Sequence, residues 1–152
     1  MTMYELTTEL NKLCQKLDDK WGINSGGCCY IVYLLAQFFE EIHEPYLIKL
    51  FNRKADYTEE EALYNIVNKS NGFPCMYEVA SHYWIYLPKY NIEVNEGGFS
   101  EQDGYQLNVP ITPEQLLWIY NNGDWNTYYN PKHNNSVKKI LTNVFKKYEK
   151  EL

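Results

Sequence analysis

Gly26-Gly27-Cys28-Cys29-Tyr30-Ile31-Val32-Tyr33-Leu34-Leu35-Ala36-Gln37-Phe38-Phe39-Glu40-Glu41-Ile42 decides how the rest of the chain is read. From Cys28 to Ile42 it is apolar on nearly every side, and about fifteen residues are too many for an ordinary strand, so it reads as a helix buried over most of its surface. The segment before it, Trp21-Gly22-Ile23-Asn24-Ser25-Gly26-Gly27, is a breaker, which puts Cys28 in the helix's first turn. Pro45 is expected to stop the helix and Tyr46 to Phe51 to follow as a strand.

Upstream, Leu6, Leu10, Leu13, Cys14 and Leu17 recur at helical spacing over residues 3 to 20, with Thr2 and Glu5 set for a capping box and Cys14 on the core stripe. Downstream, Thr58 and Glu61 open a helix carrying Ala62, Leu63, Ile66 and Val67, which Asn71-Gly72 ends. Residues 82 to 87 and 91 to 95, separated by Pro88-Lys89-Tyr90, read as a hairpin, and 105 to 109 as one more strand. Thr112-Pro113-Glu114 starts a further helix, and a last one from about Asn135 sets Val137, Ile140, Leu141, Val144, Phe145 and Tyr148 on one face. Helices first and then mostly antiparallel strands give an α+β class: N-terminal helices on a small antiparallel sheet, in one domain over 1–152 with a helical extension from about 112.

Bulk properties narrow the function. A net charge of −6 argues against a nucleic-acid partner, and Lys138, Lys139, Lys146, Lys147 and Lys150 read as a solvated helix face. No run approaches the length of a membrane span and the first residues lack an export signal, so no membrane partner and a cytoplasmic location are expected. The four cysteines, at 14, 28, 29 and 75, have neither the spacing of a disulfide framework nor a CxxC pair, and are expected as free thiols. Cys28, Cys75 and His82 lack chelating spacing and a fourth ligand, so no metal and no cofactor are expected.

A thiol in the first turn of a helix meets the positive end of the dipole, which lowers its pKa and makes it a nucleophile. Helix-start amides serve as oxyanion donors, and glycines allow a close approach. Only three histidines are present: His43 reads as a helix C-terminal cap and His133 as a loop residue, while His82 opens a strand that can hold an imidazole against a thiol. A group that fixes its tautomer is available at Glu93, Asn95 or Glu96, and less favourably at Asn91 or Asp103. Gly97-Gly98-Phe99 reads as a turn or a flap, and Trp125 and Tyr128 as core aromatics or part of a groove.

Gly26-Gly27-Cys28, the aliphatic positions after it, Pro45 before a strand, His82-Tyr83-Trp84 and Ile92-Glu93-Val94-Asn95 occur in an order that resembles the transglutaminase-like branch of the papain-like superfamily. The resemblance covers residues 22 to 97 and implies a papain-like core. It makes Cys28, not Cys29, the nucleophile, His82 the base and Asn95 the orienting group. That branch more often has Asp at the last position and papain-like enzymes Asn, which keeps Glu93 as a rival. The implied activity is a peptidase, a deamidase or an acyltransferase acting on a protein or peptide through a thioester, as in a small bacterial or phage member. The alternative is an inactive protein-binding module on the same fold.

Overall fold

In a computed structural model, residues 1–53, 58–72, 82–96, 104–122 and 129–151 are described. The chain begins with helix α1 (Met3–Trp21), where Thr2 and Glu5 close a reciprocal capping box. Its apolar stripe buries Leu6, Leu10, Cys14 and Leu17, and Gly22 ends it in the left-handed conformation (φ 67) open to glycine at little cost.

Helix α2 (Cys28–Glu41) follows, with ten of its fourteen residues buried. Its length is set by a Schellman motif, in which the amide of Glu44 donates to the carbonyl of Phe39 (2.8 Å) and that of His43 to Glu40 (3.0 Å). His43 takes the left-handed position usually held by glycine (φ 58). The stop therefore comes one residue before Ile42 and ahead of Pro45, which only reinforces it.

Strands β1 (Leu47–Arg53), β2 (His82–Leu87), β3 (Ile92–Val94) and β4 (Gly104–Val109) form an antiparallel sheet in the order β3-β2-β1-β4. The first strand begins one residue later and runs two residues longer than its apolar run suggests. The register sets Leu50 opposite both Tyr83 and Leu107, and Ile85 opposite Val94. Alternation sends these side chains and Ile48 to one face, where they join the core under α2. On the other face Lys49 pairs with Glu93 (3.0 Å) and lies over the Tyr86 ring (4.2 Å).

Helix α3 (Glu59–Ser70) connects β1 to the segment before β2 and starts at a Thr58/Glu61 capping box. Helix α4 (Pro113–Asn122) begins with reciprocal bonds between Thr112 and Gln115. A short 3-10 turn (Pro131–His133) leads into α5 (Asn134–Glu149). Leu116 and Ile119 of α4 and Val137, Leu141 and Tyr148 of α5 belong to the same core as α2, so these two helices are packed onto the central one. The class is α+β, five α-helices with a four-stranded antiparallel sheet among the described residues. No described helix is long and apolar enough to cross a membrane.

Candidate active site

The start of α2 lies against the start of β2. Its N-cap is Gly27, which offers no side-chain cap, and the first turn carries no acidic residue, so the amides that the helical ladder leaves unpaired keep their positive field around Cys28. Gly27 is required by contact, since a Cβ there would stand 2.7 Å from the carbonyl oxygen of Ile23 and 2.8 Å from the Tyr129 ring. The Tyr129 amide donates to the Ser25 carbonyl (3.1 Å) and its hydroxyl to Asn134 (2.7 Å), which ties the glycine loop to the start of α5.

Cys28 and His82 meet by a side-chain hydrogen bond, and the main-chain amide of Tyr83 also donates to the Cys28 sulfur. The Cys28 thiol is held well below the ordinary cysteine value, first by a hydrogen bond from the Cys29 thiol, then by the hydrogen bond and charge of His82 and by the Tyr83 amide, all against the opposing effect of burial. Cys29 goes the other way: burial and then the neighbouring Cys28 push it well above the usual range. Two adjacent thiols cannot both ionise easily, so the charge settles on the one that faces the imidazole. Burial alone would lower the His82 pKa, but the hydrogen bond and charge of Cys28, the Asn95 carbonyl and the charge of Asp18 together raise it. The pair is therefore biased towards thiolate and imidazolium.

His82 Nε2 lies 2.8 Å from the main-chain carbonyl oxygen of Asn95. A carbonyl only accepts, so Nε2 carries the proton and Nδ1 is left as the nitrogen for Cys28. Strand alternation places Trp84 on the same side as His82, and the indole stacks on the imidazole with centroids 5.5 Å apart and planes 19° apart. This gives the His-x-Trp spacing a physical reason.

The structure brings Cys28, His82 and Asn95 together, with Asn95 engaged through its main chain. Asn95 has a left-handed backbone (φ 68), and its buried carboxamide makes no hydrogen bond among the described residues. A polar cavity of about 240 Å³ lies beside it, reaching Asn11, Cys14, Gln15 and Asn24. Glu93 is occupied elsewhere: burial disfavours its charge, but the hydrogen bond and charge of the Lys49 ammonium, 3.0 Å away, hold its carboxyl below the usual range. Asn91 sits in the hairpin turn, bonded to the Tyr86 hydroxyl at 3.0 Å. Cys14 is buried, and burial followed by the charge of Asp18 pushes its thiol up to about 12, so it is an inert reference. The described cysteines are free thiols, and no cluster of metal-ligating side chains forms among the described residues. Cys75, Gly97-Gly98-Phe99, Asp103, Trp125 and Tyr128 lie outside the described residues.

Two residues of the site escaped the sequence reading. Asn11 donates its side-chain amide to the Glu93 carbonyl (2.9 Å) and accepts from the Asn95 amide (2.8 Å). Asp18 accepts from the Asn24 amide at 2.9 Å. Both are polar positions on an amphipathic helix, a pattern that by itself reads as a solvent-facing flank.

Because a carbonyl does the orienting, the side chain at 95 is expected to matter little. Asn95→Gly keeps the positive φ open and removes the unbonded carboxamide, and should leave Cys28 alkylation at pH 6.5 within about threefold of wild type. A loss as large as that of His82→Ala in the same assay would make the carboxamide the orienting group.

No family model, curated protein or solved structure matches the chain significantly.

Proposed function

We propose that the chain is a thiol-dependent enzyme of acyl transfer, a peptidase or deamidase in preference to a transamidase, acting on a peptide or carboxamide bond. The observation that carries this reading is the Cys28 to His82 hydrogen bond at the uncapped start of α2, with the far nitrogen of the imidazole bound to the Asn95 carbonyl. A helix that presents a cysteine to a histidine on an antiparallel strand, with an asparagine just past the end of the next strand, also supports the likeness to the transglutaminase-like branch of the papain-like superfamily.

The chemistry follows from those groups. The Cys28 thiolate attacks the carbonyl carbon, and the negative charge moves to the carbonyl oxygen, where the first-turn amides of α2 are the available donors. As the tetrahedral species collapses, the C–N bond breaks, the imidazolium gives its proton to the departing nitrogen, and a thioester remains on Cys28. Water then attacks the thioester while His82 takes its proton. The carboxylic product leaves and the thiolate is restored.

A second reading keeps the fold without turnover, as a protein-binding module. It is favoured by the closure of the site, since Cys28 is 5% and His82 3% exposed. A small activated ester, p-nitrophenyl acetate, separates the two when intact mass is followed with time. The enzyme reading expects one acetyl group on Cys28 that disappears by hydrolysis, none on Cys28→Ser, and slow loading of His82→Ala. Folded wild-type protein with no adduct on Cys28 would leave the binding module in its place.

A further inference from the structure

The carbonyl that holds His82 belongs to a residue just past the end of a strand only three residues long, β3. Its direction depends on the left-handed backbone of Asn95, and a short strand end does not hold such a conformation by its own ladder bonds. Something must supply the missing constraint. Asn11, on α1 and more than eighty residues away in sequence, meets this need with both ends of one carboxamide: Nδ2 donates to the Glu93 carbonyl at 2.9 Å and Oδ1 accepts from the Asn95 amide at 2.8 Å. A carboxamide is the short neutral side chain that offers a donor and an acceptor side by side, so it can complete the main-chain bonding of β3 as a neighbouring strand would.

Two turns further along the same face of α1, Asp18 accepts from the Asn24 amide at 2.9 Å, in the loop that leads to Cys28. Positions 11 and 18 are separated by about 10 Å along a straight helix at ~1.5 Å per residue. One rigid element thus grips the support of His82 at one point and the approach to Cys28 at another.

We propose that Asn11 is a positioning residue for the Cys28–His82 pair, acting through the main chain of Asn95, and that α1 is the ruler that fixes the distance between nucleophile and base. The inference rests on the enzymatic reading of that pair. The Trp84 indole stacks on His82, and the groups that raise the His82 pKa against its burial include Cys28 from α2, the Asn95 carbonyl after β3 and Asp18 from α1.

The test is the pH profile of Cys28 alkylation by iodoacetamide, read by mass spectrometry, in wild type, Asn11→Ala, Asn11→Asp and His82→Ala, with thermal melts alongside. A structural role alone lowers the melting temperature and leaves the profile in place. The positioning role moves the profile: Asn11→Ala should shift the rise in reactivity to higher pH and lose at least about fivefold in rate at pH 6.5. Asn11→Asp keeps the acceptor for the Asn95 amide but loses the donor to Glu93, and should fall between the two. It also carries the test if Asn11→Ala does not fold. If His82→Ala flattens the profile while the folded Asn11 variants superimpose on wild type, the positioning role is overturned and the pair survives. If His82→Ala itself leaves the profile unchanged, the pair fails and the inference fails with it.

Discussion

At pH 6.5 Cys28 should be alkylated at least about tenfold faster than an ordinary exposed thiol, and His82→Ala should abolish the advantage. An unperturbed thiol with a pKa of about 8.5 is ~1% thiolate at that pH, so full ionisation gives at most about a hundredfold more reactive species. Part of this is lost because a more acidic thiolate is a weaker nucleophile, and part because Cys28 is only 5% exposed. The sign follows from the two shifts: the lowered Cys28 value and the raised His82 value make the ion pair the main form between them. Reactivity should therefore rise through the Cys28 pKa at acid pH and stay high, and it should change again when the imidazolium deprotonates above its usual range. With alanine at 82 its hydrogen bond and positive charge are gone, burial is opposed only by the Cys29 thiol and the Tyr83 amide, and the rise should move towards that of a free thiol. Cys14 in the same digest is the internal control, expected to remain unmodified until the protein unfolds. A Cys28 profile independent of residue 82 would end the Cys-His reading.

Gly27→Ala should be strongly damaging for so small a substitution. Its new methyl meets a backbone oxygen at 2.7 Å and the Tyr129 ring at 2.8 Å, contacts that real Cβ atoms do not make. Neither neighbour can move cheaply, because Tyr129 is 2% exposed and bonded at both its amide and its hydroxyl. Overpacking of this kind costs about 3 kcal/mol, or a fall of roughly 6–12 °C in melting temperature for a chain of this size. The displaced first turn of α2 should also lose the fast phase of Cys28 alkylation below pH 7. Gly22→Ala is the matched control. Nothing lies within 4 Å of its Cβ, and only the left-handed backbone (φ 67) is strained, so it should cost about 1 kcal/mol and leave Cys28 reactive. Equal melting temperatures for Gly27→Ala and wild type would mean that the loop is not packed in this way.

What could be read before folding, and what could not, divides along a physical line. Features written in side-chain type at short range were legible: the Thr2/Glu5 and Thr58/Glu61 capping boxes, the buried run of α2, and the hairpin that begins at His82. Features written in backbone conformation were not. The Schellman end of α2 was hidden because histidine, not glycine, occupies its left-handed position. The sequence pattern points to the Asn95 carboxamide, whereas the contact with His82 is through a carbonyl aimed by a positive φ, a quantity no side-chain pattern encodes. Asn11 was out of reach for another reason: its two bonds span the length from the first helix to the third strand, and only the tertiary fold brings the partners together.

The bond from Tyr129 to Ser25, and the ring of Tyr129 against Gly27, also set an order of events during synthesis. On a ribosome that adds residues in sequence, Cys28 emerges about a hundred residues ahead of the tyrosine that closes its loop, and His82 arrives between them. If the docked loop is needed to set Cys28 against His82, a nascent chain is expected to carry an ordinary thiol until Tyr129 and the start of α5 have been made. On the proposed reading, reactivity would then be acquired late in synthesis, as a consequence of the connectivity. Truncated or stalled chains should be inert for the same reason.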